Sequence, residues 1–369
     1  MRGASSLQSW LQVQWRSNGG WSIVVRPLAL LYGAISGFRR ARYLNGKGHI
    51  TRCQVPVIVV GNIYVGGTGK TPIICDLANR LRAQGWQPGL VSRGYGRRQT
   101  PDPVVGQHAI NWETFGDEPA LIAKQTQMPV CVHADRGLAA QTLLKSHPNV
   151  DVILSDDGLQ HYRLARDIEI LVEDERGIGN GQLLPAGPLR ESANRRAEVD
   201  AILTRSAASS EGHQHQDSHV TPEQYPPSWS FGVDIDCFWC PATNQSLSIQ
   251  AFTALVSSHS PTLALAGIGV PQRFFDSLRS LGLKLDDTVA LADHAALGVN
   301  WLTTREAMAA RTILITEKDA VKCTDLTDPR IWVARASVHW HEAGFFDWLS
   351  KKLWSVARQF PNHPRATET

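Results

Sequence analysis

The first 75 residues contain no aspartate or glutamate, and the first carboxylate is Asp76. Residues 1–52 hold eight Lys or Arg without an acid, whereas residues 53–369 carry 29 basic against 34 acidic side chains. The formal net charge of +3 therefore belongs to the N-terminal segment, which points to an anionic partner for it. Equally absent is an uninterrupted apolar run of the ~20 residues that a spanning helix needs. From Trp21 to Phe38 the chain reads WSIVVRPLALLYGAISGF, but Arg26 and Pro27 interrupt it, and only Leu28–Phe38 continues without a charge. Read as a secretory signal, the segment lacks a convincing cleavage site. Six cysteines in 369 residues are too few and too irregularly spaced for a disulfide scaffold, which fits a reducing compartment. Cys237 and Cys240 form a lone C-x-x-C with no second Cys/His pair at zinc-ribbon spacing, so they read as structural. His213, His215 and His219 stand in a polar stretch and read as surface loop.

What the N-terminal segment does contain is an apolar stretch closed by Arg39, Arg40 and Arg42. A helix starting near Pro27 is apolar around most of its surface for three turns and then presents arginines at headgroup depth. Trp10, Trp15 and Trp21 stand as candidate interfacial anchors. Such a helix lies on a membrane, and each cation beside anionic lipid adds about 1 kcal/mol. The other reading is a helix docked on the protein's own core, and the two can hold together.

A chain of 369 residues with 43% hydrophobic content can build one large domain and a smaller one. VPVIVVGN (Val55–Asn62) is a β-branched run, IYVGGTGKT follows, and Pro72–Ala83 is apolar-periodic: strand, glycine loop, helix. Gly66, Gly67, Thr68 and Gly69 can turn backbone N–H groups toward phosphate. Lys70 can reach the β- and γ-phosphates, and Thr71 can place a hydroxyl on Mg²⁺. The strict P-loop pattern wants its first glycine where this chain has Tyr64, so the loop is the GGxGKT variant. Partitioning ATPases with that variant carry a signature lysine where Val65 stands, which argues against a dimerising ATPase switch. DVILSDDG (Asp151–Gly158) supplies a strand ending in Asp156 and Asp157, carboxylates placed to hold magnesium directly or through water. GDEP (Gly116–Pro119) sets Asp117 and Glu118 at a loop-to-helix start, where acids can also simply complement the helix dipole.

Eight motifs in order now form a pattern: GGTGKTP, SRGYG, GDEP, SDDGLQH, GNGQLLPAGPLRE, AGIGVPQRFF, ADH and TEKDAVK. From about residue 20 to about residue 350 the chain resembles the tetraacyldisaccharide 4'-kinases, the lipid A 4'-kinases of Gram-negative bacteria. The resemblance implies transfer of the ATP γ-phosphate to the 4'-hydroxyl of a tetraacyl glucosamine disaccharide 1-phosphate, with ATP and Mg²⁺, at the cytoplasmic face of the inner membrane. It implies a lipid substrate and an anionic membrane surface as partners, no nucleic acid, and no obligate protein partner. By the same resemblance Lys70 and Thr71 belong to the phosphate and magnesium loop, while Glu118, Asp156 and Asp157 are metal-binding acids. Asp117 is the base, His294 orients it, and Arg190 and Glu191 lie near the lipid head group. Ala295 departs from the family, which often has a second histidine there. Arg93 follows a predicted strand that should end on the same side.

The expected fold is α/β, a mostly parallel P-loop NTPase-like sheet with a second smaller α/β domain and an N-terminal membrane-associated helix. The expected division is 1–52 as the basic, apolar segment, 53–206 as the kinase core, 207–228 as a polar linker or insertion, 229–358 as the second unit with a C-terminal helix, and 359–369 as a tail. Two rivals remain at this point. One is a P-loop ligase or synthetase acting on a soluble acid or amine, against which the N-terminal segment argues. The other is a non-catalytic nucleotide switch, against which Val65 and the GDEP acids argue.

Overall fold

The structure is a computed structural model and describes residue 11 and residues 14–15, 20–98, 100–108, 110–206, 226–257, 261–292, 304–323 and 326–360. In chain order the elements begin with helices α1 (Gly20–Val24) and α2 (Arg26–Leu44), strand β1 (Val57–Gly61), helix α3 (Lys70–Ala83) and strands β2 (Pro88–Ser92) and β3 (Val104–Gly106). Helices α4 (Trp112–Phe115) and α5 (Asp117–Thr126), strand β4 (Val130–Val132), helix α6 (Arg136–Ser146), and strands β5 (Val152–Asp156), β6 (Ile168–Asp174) and β7 (Ala201–Arg205) follow. The C-terminal part adds β8 (Ser228–Cys240), β9 (Gln245–Ser248), α7 (Ile249–Ser257), β10 (Thr262–Ala266), α8 (Pro271–Ser280), β11 (Asp287–Ala290), α9 (Arg305–Ala309), β12 (Thr312–Thr316), α10 (Glu317–Lys322), β13 (Ile331–Trp340) and α11 (Phe345–Ala357).

All strands join one sheet in the order β11-β10-β12-β13-β8-β7-β6-β1-β5-β2-β4-β3, with β9 beside β8. Pairing is parallel except at β13/β8, β8/β9 and β3/β4. The mixed α/β, sheet-centred fold expected from the pattern of runs is therefore present. Strand β1 shows why the central strands read as continuous apolar runs, since it is buried on both faces. Ile58 and Val60 pack with Ile73, Ile74, Leu77 and Leu81 of α3 and with Phe345 and Leu349 of α11. Val57 and Val59 pack on the other face with Ala139, Ala140 and Leu143 of α6. The strand's period of two deals alternate residues to the two layers.

Helix α2 has two faces. Val25, just before it, and Ala29 are buried against Ala186, with Leu183 alongside, and the Tyr32 hydroxyl donates to the Arg190 carbonyl at 3.0 Å. Arg40 pairs with Glu198. Away from these contacts Leu28, Leu30, Leu31, Ile35 and Phe38 are exposed, Phe38 by 74%. Trp15 donates its indole N–H to the Pro185 carbonyl at 3.0 Å, so this candidate anchor docks on the protein; Trp21 is exposed and Trp10 lies outside the described residues. Among the described residues no helix is long and apolar enough to cross a membrane. Cys237 and Cys240 fall on β8 three residues apart, hence on opposite faces of the strand, with Cys240 buried and Cys237 half-buried. All six cysteines are free thiols. The His213–His219 stretch lies outside the described residues.

Candidate active site

The glycine loop leaves β1 at its carboxyl end, where ligands bind in open α/β sheets. Gly69 takes a left-handed conformation (φ 90°) immediately before Lys70 opens α3, and no side chain caps that helix. Its first N–H groups are thus left for a ligand, beside the positive end of the helix dipole. The Asn62 amide holds the loop by donating to the Gly66 carbonyl at 3.2 Å, and the Val65 N–H donates to the Pro188 carbonyl at 2.9 Å. Thr68 is buried, and its hydroxyl has no partner among the described residues.

Next to β1 on one side, β5 ends in Asp156, and Asp157 turns out of the strand with φ 47°. Its carboxylate is shared: Lys70 Nζ stands 3.3 Å from Oδ1 and an Arg190 guanidinium nitrogen donates to Oδ2 at 2.8 Å. Burial opposes the charge on Asp157, but Lys70 and Arg190 overcome it and hold the carboxyl below its ordinary value. Asp156 goes the other way, because burial and the neighbouring Glu118 and Asp157 outweigh Lys70 and Arg136 and raise its pKa. It accepts a hydrogen bond from the Ser92 hydroxyl at 3.0 Å. The same residue doublet thus occupies two electrostatic environments.

Asp117 and Glu118 open α5. Gly116 before them has φ 92°, and a Cβ there would come within 2.8 Å of the Tyr95 carbonyl oxygen, so only glycine serves this entry. Asp117 is 3% exposed and accepts from the Glu118 N–H at 2.9 Å. Lys318, the second residue of α10, reaches both acids, 3.5 Å from Asp117 Oδ2 and 3.3 Å from Glu118 Oε1. It comes from the other part of the chain and was given no role by the sequence reading. A signal existed: a lysine in the first turn of a helix opposes the dipole and calls for a nearby acid. His294 lies outside the described residues.

Arg190 and Glu191 follow the proline-rich loop. The Arg190 N–H donates to the Ile63 carbonyl at 2.7 Å, which pins this residue beside the glycine loop. Glu191 is buried, accepting from Gln160 at 3.0 Å and from the Tyr162 hydroxyl. Arg93 stands on the wall of a cavity of about 500 Å³. Arg39 and Tyr43 of α2, Arg136, His161 and Arg163 line the same cavity, so the basic segment and the sheet's carboxyl edge meet there. Burial, reinforced by Arg136, holds His161 neutral by lowering its pKa from 6.5 to about 3.

Comparison with known proteins agrees with this arrangement. Residues 21–354 match the family model described as LpxK, tetraacyldisaccharide-1-P 4'-kinase. The chain is 43% identical to the tetraacyldisaccharide 4'-kinase of Bordetella parapertussis, covering 96% of this chain and 99% of that one. It is 43% identical to that of Herminiimonas arsenicoxydans, over 95% and 96% of the two chains. A crystal structure of LpxK from Aquifex aeolicus in complex with ATP superposes with a TM-score of 0.72 at 25% identity, covering 91% of this chain and 99% of that one.

Proposed function

Because this chain belongs to the tetraacyldisaccharide-1-P 4'-kinase family and is an ATP-dependent lipid A 4'-kinase, we propose how its residues divide the work. The Gly66–Thr71 loop cradles the ATP phosphates, with Lys70 neutralising charge at the transferring group. Asp117 accepts the proton of the attacking 4'-hydroxyl, oriented by His294. Phosphoryl transfer demands little more of the protein than alignment and charge neutralisation, so the base contributes less than the cations.

The donor set suits magnesium. Among the described residues no three His, Cys, Asp or Glu side chains converge as a protein-only metal cage. Mg²⁺ asks for none, since it keeps waters and binds through one or two carboxylates together with substrate phosphates. Buried Asp156, whose pKa is raised by burial and by the anions Glu118 and Asp157, is the carboxylate most in need of a cation. Asp156, Glu118 and the Thr71 hydroxyl would hold the ion; Asp157, already bridged by Lys70 and Arg190, would act behind them. When bound, Mg²⁺ neutralises charge on the phosphates.

The lipid is met at the cytoplasmic face of the inner membrane. The apolar side of α2 rests in the interface, Arg39 and its neighbours meet anionic headgroups, and the substrate's sugar end enters beside Arg93, Arg190 and Glu191. One observation carries the reading. A single carboxylate, Asp157, is held at once by the loop lysine and by Arg190, and the Arg190 carbonyl in turn accepts from Tyr32 of α2. Nucleotide loop, acceptor loop and N-terminal helix are thereby one connected unit.

The test uses γ-labelled ATP and the disaccharide 1-phosphate in vesicles containing anionic lipid. Label should appear on the 4' position of the lipid, vanish with Lys70→Ala, and fall with a variant lacking residues 1–42 that still binds ATP but no longer sediments with vesicles. Activity of Lys70→Ala within threefold of the parent would overturn the loop assignment, and equal sedimentation of the two lengths would overturn the anchor.

A further inference from the structure

We propose that Arg205, at the carboxyl end of β7, is the floor on which the adenine of ATP lies. The inference rests on the glycine loop being the phosphate cradle. β1 stands between β5 and β6. The acids Asp156, Asp157, Asp117 and Glu118 gather on the β5 side, so the terminal phosphate points that way. The nucleoside must then extend to the opposite side, over the ends of β6 and β7. Two strand spacings separate β7 from β1, about 10 Å, and this suits the reach of an ATP from its β-phosphate to its base.

Three guanidinium groups stand on that side, and two are committed. Arg176 donates Nε to both oxygens of Asp174, at 2.8 and 3.0 Å, and a terminal nitrogen to the Gly67 carbonyl at 2.9 Å. Arg273 donates to Asp174 at 3.2 Å and to Glu175 at 2.8 Å. Asp174, the register neighbour of Arg205 on β6, is further engaged by the Tyr64 hydroxyl at 3.2 Å. Arg205, half-buried, is paired through its main chain with β6 and β8, but its guanidinium makes no hydrogen bond or close ion pair with another described residue, and Asp174, Glu175 and Asp234 act on it only from a distance. Its stem runs back to the loop: Arg205 Cδ lies 3.5 Å, and a terminal nitrogen 3.9 Å, from where a Cβ on Gly69 would sit. Phe231, fully buried on the next strand, closes the same spot at 3.8 Å.

A partly desolvated cation that closes no ion pair with its surrounding acids, Asp174, Glu175 and Asp234, and faces Arg273 besides, is costly unless something meets it. Phosphate is already addressed by Lys70 and the loop N–H groups, and Arg176 and Arg273 are tied to acids. What remains for a flat, weakly hydrated guanidinium beside the loop is an aromatic face, which Arg stacks on well. Gly69 lacks the side chain that would fill the space above it.

Equilibrium binding to the full-length protein separates the possibilities, with ATP and inorganic triphosphate as the two probes. Arg205→Ala should weaken ATP by about five- to thirtyfold, the range of a stacking cation, and leave triphosphate within twofold. Arg205→Lys, which keeps stem and charge but loses the plane, should fall between and guards against loss of fold in the alanine variant. Equal weakening of both probes would make Arg205 a phosphate ligand, and unchanged ATP affinity would remove it from the site; either result overturns the proposal. Lys70→Ala should weaken both probes. If it weakens neither, the loop reading has failed, whatever Arg205 does.

Discussion

Lys318 offers the most direct probe of how the two parts of the chain hold the proposed base Asp117 and its neighbour Glu118. Its ammonium stands 3.5 Å from Asp117 and 3.3 Å from Glu118, two adjacent carboxylates of which Asp117 is 3% exposed. At an effective dielectric constant of about 20, a pair at this separation attracts by about 5 kcal/mol before desolvation is counted. Desolvation of the ammonium, and the greater exposure of Glu118, offset most of that. Lys318→Ala should therefore cost about 1–3 kcal/mol of stability, below the range for breaking a fully buried pair. Denaturant unfolding of the parent, Lys318→Ala, Asp117→Asn and the double variant closes a thermodynamic cycle. The coupling should reach about 1 kcal/mol or more, since the two groups are in contact. Transfer should slow by about 10–100-fold in Lys318→Ala, because the acid pair loses one of the groups that fix its position, and Lys318→Arg should recover part of it. Additivity of the single changes to within about 0.5 kcal/mol would show that the bridge holds nothing, and the reasoning from distance and burial would fail with it.

Asp117 and His294, if they act as one unit, should each cost about 10²–10⁴-fold in kcat when replaced, and replacing both should cost little more than the worse single change; multiplicative losses in folded variants would reduce Asp117 to a structural or metal-shell role. His161 gives a pH prediction. Burial, and Arg136 beside it, hold its folded pKa at about 3 against 6.5 for the free side chain. The unfolded chain therefore binds a proton over that window that the folded chain refuses, and stability must fall as pH drops from 6.5 toward 3. His161→Gln should flatten the fall of Tm between those limits, and an unchanged slope would mean that the imidazole is not shielded.

The central strands were legible because burial on both faces turns them into unbroken β-branched runs. The apolar run in Asp151–Gly158 is β5 (Val152–Asp156), and both β5 and β6 are buried at every position. The strand–glycine loop–helix turn and the strand ending in the acidic doublet were legible because glycines at fixed spacing after a β-branched run leave few other local structures. The pairing of Lys318 with α5 was not, since it joins residues 200 apart through the docking of α10 and leaves no local pattern. Nor was the continuity of the sheet. Thirteen-residue β8 pairs in parallel with β7 and antiparallel with β13, which joins the expected second unit to the core sheet through contacts distant in sequence that leave no local pattern.

The doublet Asp156–Asp157 shows why spacing alone cannot assign roles within a site. Both residues end the same strand in the same motif, and the sequence treats them alike. The backbone separates them, since Asp156 continues the strand into the buried edge while Asp157 turns out with a positive φ toward Lys70 and Arg190. One carboxylate is thus left short of cations and the other is supplied with two. On the proposed assignment, a polyphosphate in the loop would compete with Asp157 for Lys70, and Arg190 is the cation that would remain to hold Asp157 in place. Because the Arg190 main chain also bonds to Ile63 before the loop and to Tyr32 of the N-terminal helix, that competition would reach the side from which the acceptor is proposed to approach. The proposed nucleotide loop and the proposed acceptor loop would in this way be coupled through a single carboxylate.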